Sequence, residues 1–498
     1  MKRKFVISLA IFILSLVVTC SYAGNDTLTV ASFGDLRSLD PLQCSENVTG
    51  NALLQMFETL VYVNSDGKIE PMLAEKWEQP EPLTYLFYLK KGVKFHNGDE
   101  CTAEDVKFTL DRAQRPVGVN AYALIKDMKS VEAVDKYTVR INMKKPVTPF
   151  LFALGDTWAG VVNKKAVEIG THMTNPVGTG PFKFVSWKRS NSITLERFED
   201  YHGIKPSFRT LVIKVVPEAL SRTIELQSGA ADVAINVHYS DFKRIEEDSK
   251  LKLIRIPTNR VEYIVLNNDR QELKDVRVRK AIKLALDIPA MQRSALRGVG
   301  YVTGSPLPHG MRYSLKEAPM PVQDIEGSKK LLKEAGIVNT KFDLIVFEHK
   351  ERMDAAVIIQ NMLEEVGIRV NIKVLELGTF FDVISKGDFD MAMTGWGNNL
   401  PDADYFFGRT LHSDSIGGNN YSRYSNPGFD VLLDKGLETP DGPERADIYA
   451  EAQRIILEEV PVIFWSVGEG VVGINVKVRN FEADPRNMFR FWLADVEN

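Results

Sequence analysis

The sequence predicts an α/β protein of several lobes, built around a mainly parallel sheet. Three observations carry that expectation. Strand and helix signals alternate, with strand 211–216, helix 219–227 and strand 232–235 in succession, and the alternation returns between 344 and 394. The chain has 498 residues, too many for one hydrophobic core and enough for two or three domains. Between the first residues and these runs lies 175–187, where Pro176, Gly178, Gly180 and Pro181 exclude helix and sheet before Phe182, Phe184 and Ser186 take up strand alternation. A stiff turn feeding a strand marks a place where the chain leaves one lobe and enters another.

Residues 1–23 read as an export leader. Lys2, Arg3 and Lys4 precede the apolar run 5–19, which is short for a bilayer span, and Ser21-Tyr22-Ala23 supplies small residues for cleavage after Ala23. A lipid-modified N-terminus at Cys20 is the alternative. Cleavage leaves 475 residues and, with three basic side chains removed, lowers the net charge from −4 to −7. That balance, with no basic run interleaved with aromatics, speaks against a nucleic-acid partner. Cys44 and Cys101 remain, either as two unpaired buried thiols or as one disulfide formed in an oxidising compartment.

In chain order, 27–31 alternates as a first strand, 33–51 reads as loop, 51–60 as helix, and Gly67 marks a turn. Residues 69–186 mix short strands with helices. Tyr85, Phe87 and Leu89 share one face of strand 84–90, and Thr102 with Asp105 forms a capping box ahead of the Val106, Leu110, Ala113 stripe. Segments 137–143 and 261–267 read as strands. Val278, Ala281, Ile282 and Ala285 then make a helical stripe, Asp287 caps the next helix with Pro289 in its first turn, and Gly336 stops helix 328–335. Strand 344–347, helix 353–366, strand 370–375, helix 380–386 and strand 390–394 follow, then helix 443–460 and strand 461–467. The aromatic-rich tail, 480–492, is expected to pack back on the first lobe.

Asn175-Pro-Val-Gly-Thr-Gly-Pro-Phe182 resembles the NPVGTGPF signature of the family 5 extracellular solute-binding proteins, the dipeptide-, oligopeptide- and nickel-binding receptors of ABC importers. Further segments match that family in order: Leu39-Asp40-Pro41, Phe57-Glu58-Thr59-Leu60-Val61, Glu70-Pro71-Met72-Leu73-Ala74, Phe95-His96-Asn97-Gly98-Asp99, Asp275-Val276-Arg277 and Tyr424-Ser425-Asn426-Pro427. The resemblance implies a periplasmic-binding-protein-like, class II, Venus-flytrap receptor with two lobes and an additional α+β lobe. It places lobe I at 24–68, 187–279 and 480–498, the extra lobe II at 69–186 and lobe III at 280–479. It also implies a monomer that takes a small peptide or peptide-like solute between lobes I and III and hands it to an inner-membrane ABC permease; no cofactor or resident metal site is expected, because the sequence offers no metal-ligand motif. An opine, a glycoside or a metal chelate is the alternative cargo.

Two stretches carry the candidate binding residues. His349 and Arg352 lie between a strand and a helix, at the strand edge where open α/β sheets bind ligands, and Arg352 suits a carboxylate held bidentately. Residues 394–407 hold Trp396 between Gly395 and Gly397, a flat wall for a stacked ligand, followed by Asn398, Asn399 and Asp402. This stretch is similar to the family's ligand loop, in which an aspartate three residues after the tryptophan grips a peptide ammonium; Asn399 stands there instead. An ammonium gains about 1.5–3 kcal/mol from a charged partner and about 0.5–1.5 from a neutral one. The anchor is therefore expected to be absent or displaced onto Asp402, Asp404 or Glu348. Phe33, Asp35, Cys44, Tyr239 and Tyr421 are further candidates from loops. No His-Glu-x-x-His or Cys-x-x-Cys occurs, and residues 69–186 hold no Gly-rich phosphate loop or nucleophile elbow, so a binding receptor is expected over an exported hydrolase.

Overall fold

The computed structural model describes residues 26–44, 46–114, 125–317 and 320–497. The leader and Cys20 lie outside the described residues. The spine is an eleven-stranded sheet of mixed direction. Its parallel pairs are the expected β-α-β units: Thr27–Ser32 lies between Thr210–Val215 and Val233–Ile235, and Lys341–Phe347 between Arg369–Leu375 and Met391–Gly397. The rest corrects the expectation of a mainly parallel sheet. Strands Leu251–Leu266 and Val462–Asn475 pair antiparallel with each other, and join the two units through antiparallel contacts to Met391–Gly397 and Val233–Ile235.

These two strands are longer than their apolar halves, 261–267 and 461–467, suggest. Pro257 removes a backbone donor, and the ladder shifts register between Pro257 and Val261 and again between Glu262 and Tyr263. On one side of the break, Ile254 and Ile474 join a core with Leu28, Val30 and Phe182. On the other, Ile264 and Ile463 join a core with Val278, Leu344 and Met393. Each long strand thus runs continuously from one hydrophobic core into another.

Residues 74–143 form a separate antiparallel sheet, ordered Ala74–Glu81, Thr84–Leu89, Thr138–Met143, Met128–Asp135. Tyr85, Phe87 and Leu89 are buried as the alternation requires, under helix Ala103–Ala113. That helix begins at the expected capping box, where the Asp105 carboxylate accepts from the Thr102 backbone N–H at 3.0 Å and its hydroxyl at 2.9 Å.

The turn at 176–181 has a different reason for its glycines than backbone freedom, because neither Gly178 nor Gly180 adopts positive φ. They make room. A Cβ on Gly178 would stand 2.0 Å from the Met56 carbonyl oxygen, and one on Gly180 2.6 Å from the Met56 carbonyl carbon. The Gly180 N–H donates to that same carbonyl oxygen at 2.9 Å. His96 holds the turn from the other side, its Nδ1 accepting from Gly178 N–H at 3.3 Å and its Nε2 lying 3.0 Å from the Gly180 oxygen. Burial pushes the ring's pKa down to about 4, so it sits there neutral, with the proton on Nε2.

Helix Asn47–Met56 starts four residues ahead of the expected 51–60. The Glu46 carboxylate accepts from the Val48 and Thr49 N–H groups, and Phe57 turns extended. Helix Ile325–Glu334 likewise starts early, because the Asp324 side chain accepts from Gly327 N–H. The tail packs as expected: Phe489, Phe491 and Trp492 lie in the core of the first strand, with Gln55 donating to the Phe489 carbonyl at 2.8 Å. Among the described residues Cys44 and Cys101 are unpaired.

Candidate functional site

A cavity of about 640 Å³ opens where the two long strands break register. One wall is the end of strand Met391–Gly397 with Asn398 and Asn399; the facing wall combines Phe33, Cys44, the start of helix Asn47–Met56, residues 155–158 and tail residues 485–488. Thr258, Asn259 and Arg260 of a long strand form the floor between them. The volume lies within the roughly 300–1,000 Å³ of small-molecule sites.

The strand wall is held rigidly. Trp396 pairs with Val261, Gly395 with Glu262 and Gly397 with Arg260, so the tryptophan sits inside a ladder and not in the loop expected after residue 394. Its ring lies 5.8 Å from that of Tyr405, and its Nε1 is buried without a partner among the described residues. Asn398, which lines the cavity, donates through Nδ2 to the Asn259 carbonyl at 2.9 Å, and its buried Oδ1 has no partner among the described residues. Gly395 also has a spatial reason: a Cβ there would meet the Glu262 carboxylate at 2.5 Å.

The expected site residues divide into two groups. Trp396, Gly397, Asn398, Asn399, Tyr421, Phe33 and Cys44 come together as cavity walls. Burial, followed by the nearby Asp156 and Glu46 carboxylates, pushes the Cys44 thiol up, so it is a neutral apolar lining. Four other candidates are committed elsewhere. Asp402 is fully buried in a two-pronged pair with Arg445, at 2.6 and 2.8 Å, and caps helix Ala403–Thr410 by accepting from Asp404 N–H. Arg352 donates to Glu262 at 2.6 Å and stacks 4.4 Å from the Phe347 ring centroid, so it is not free to hold a ligand carboxylate. His349 is half exposed at the start of helix Lys350–Glu365 and faces Glu351 at 3.0 Å. Tyr239 lines a different hollow with His238, Phe242 and Arg297.

The displaced-anchor candidates do not reach the cavity either. Asp404 stands beside Asp402 and Tyr449, where burial and the neighbouring carboxylate push its pKa up to about 6, and Glu348 is exposed outside the walls. Asp35 accepts from the Trp187 indole and the Ser190 N–H, off the cavity. Among the described residues no group of three or more His, Cys, Asp or Glu side chains is placed to hold a metal ion.

Sequence reasoning missed the charged cavity residues Glu46, Asp156, Arg260, Arg409 and Arg486, along with Trp158. The one local signal for them was Asp156-Thr157-Trp158, an acid and an aromatic set between Gly155 and Gly160. Charge alone distinguished none of the others.

Comparison with known proteins fits this geometry. Over 95% of its length the chain is 29% identical to heme-binding protein A of Haemophilus influenzae, covering 93% of that protein. Over 97% it is 29% identical to the glutathione-binding protein GsiB of Pectobacterium atrosepticum, covering 96% of it. The structure superposes, with a TM-score of 0.82 and 27% identity, on the periplasmic binding protein DppA of Helicobacter pylori in complex with the peptide STSA, over 95% of this chain and 98% of that one. Residues 68–418 match the profile of bacterial extracellular solute-binding proteins, family 5 Middle, and the chain belongs to that family.

Proposed function

We propose that the protein is the extracytoplasmic substrate-binding component of an ABC importer, taking a peptide or peptide-like solute into the cavity and delivering it to an inner-membrane permease. One observation carries this reading: an open cleft of aromatic and polar lining sits at the register break of the two strands that link the hydrophobic cores. Rotation about that break brings the walls together on a solute. A solute that touches both walls stabilises the closed form by its extra contacts there, and a permease that reads the closed form then receives loaded protein in preference to empty protein. An affinity near micromolar needs only about −8 kcal/mol, within reach of one stacked aromatic and two charged contacts.

Relatives named for heme, for glutathione and for a peptide complex share this architecture, so the family name alone does not choose the cargo. Peptide-like solutes are favoured here because the lining carries charges of both signs together with amide and indole groups that have no partner among the described residues. Mass spectrometry of solute released from the purified mature protein tests the reading. Stoichiometric recovery of one small solute without turnover supports it, and steady product formation overturns it.

A further inference from the structure

The charged groups facing the cavity are not equally committed. The Glu46 carboxylate is bound to the start of its helix, Arg260 is paired with Glu262 at 2.7 Å, and Arg486 with Asp484. Two charges are left over. Asp156 accepts one hydrogen bond, from Thr157 N–H to Oδ1 at 2.7 Å, and among the described residues no cation lies within ion-pair distance of it. Arg409 has no carboxylate at that range among the described residues, and its guanidinium rests 5.6 Å from the Tyr405 ring centroid. Both charges act on Tyr405. After burial, Asp156 is the next cause raising that phenol to about 12, and Arg409 opposes it.

Asp156 also shows the electrostatics of a carboxylate lacking its partner. Burial holds its pKa above the ordinary value against the Thr157 hydrogen bond and the more distant Arg486. Next to it, Trp158 is 3% exposed with its Nε1 donor unpartnered, and across the cavity Asn398 is 1% exposed with its Oδ1 acceptor unpartnered. With the Trp396 Nε1 donor also without a partner among the described residues, two acceptors and one donor are missing from this space, since buried polar atoms are normally satisfied.

We propose that Asp156 receives a cationic amine of the solute and Arg409 a solute carboxylate, so that the cavity selects a zwitterion spanning the Tyr405 ring. The assignment rests on the receptor reading above and goes beyond it by naming the charges that recognise the solute. It moves the amine partner off the strand wall, where Asn399 is neutral, to the facing wall. An ammonium at Asp156 supplies the missing cation, its neighbouring amide carbonyl accepts from Trp158, and an amide N–H donates to Asn398.

The test uses dialanine, trialanine and glutathione, each beside its N-acetylated and C-amidated forms, with binding read by calorimetry on the mature protein. The wild type is expected to prefer the free amine by roughly tenfold to a hundredfold, the range of a charge-assisted contact. Asp156→Asn should erase that preference while keeping the Thr157 hydrogen bond, with thermal unfolding confirming the fold, and Asp156→Glu should restore part of it. Arg409→Gln should erase the preference for the free carboxylate. Equal discrimination by Asp156→Asn and wild type, or equal binding of acetylated and free solutes by wild type, overturns the assignment and leaves the receptor standing. Turnover, or no capture of any of these probes, overturns the peptide-receptor reading and the assignment with it.

Discussion

The wall that carries Trp396 is the end of one sheet strand, bonded residue by residue to its neighbour Leu251–Leu266, whereas the wall facing it is put together from the loop after the first strand, the segment 155–158 and the tail. The first keeps its shape through a regular strand ladder, Trp396 paired with Val261 and Gly397 with Arg260. The second keeps its shape only if segments hundreds of residues apart pack against one another. Asn47 and Asn51 show how: their amides donate to the carbonyls of Arg486 and Asn487, at 2.6 and 2.9 Å. The difference teaches where each kind of residue belongs. A stacking surface suits the rigid strand, and charges that differ from one receptor to another suit loops, where substitution disturbs no ladder.

The comparison breaks most visibly behind the strand wall. Asp402→Ala leaves the fully buried Arg445 with only the half-exposed Asp441, at 3.2 Å, in place of its two-pronged partner, and removes the cap of the helix that bears Tyr405 and Arg409. A loss of about 3–5 kcal/mol is expected in urea unfolding, and an unchanged midpoint would remove this support from the account. Gly178→Ala strikes the seam behind the loop wall, where the new methyl meets the Met56 carbonyl. Overpacking of that kind costs about 1–3 kcal/mol. It should weaken solute binding as well, since Met56 ends the helix that begins at the cavity. Trp396→Ala should lower solute affinity by about 2 kcal/mol, the scale of an aromatic hot spot, as read by calorimetry, and should cost some stability as well, since the ring packs on the core that holds Val261, Phe406 and Phe464. Asn399→Asp is the smallest expected effect. It adds a carboxylate to the strand wall, across from Asp156; with the ammonium held at Asp156, affinity for ordinary dipeptides should change by less than about 0.5 kcal/mol, and a gain of about 1 kcal/mol, the gap between charged and neutral partners, would place the ammonium at this position instead.

What the sequence made legible follows the same division. The β-α-β units, the capping box at Thr102 and the stop at Gly336 were readable because each is decided by neighbours within a turn or two. Trp396, Asn398 and Asn399 were readable as cavity residues because they end a strand. The long strands were cut short because Pro257 and the glycines at 468 and 470 interrupt the apolar alternation, although the tertiary ladder continues past them. Asp402 and Arg352 looked available because nothing local reveals Arg445, 43 positions away, or Glu262, 90 positions away. Asp156 and Arg409 were passed over for the converse reason: their lack of partners is a fact of three dimensions.

The central claim is that the two walls close on a solute through the register break of the two long strands. Small-angle scattering of the mature protein, stripped of solute and then resaturated with the solute identified by mass spectrometry, tests it most directly. The account predicts a fall in the radius of gyration that saturates at one solute per chain and is lost when Trp396 and Asp156 are both replaced. Superimposable scattering curves for the stripped and saturated protein would contradict it.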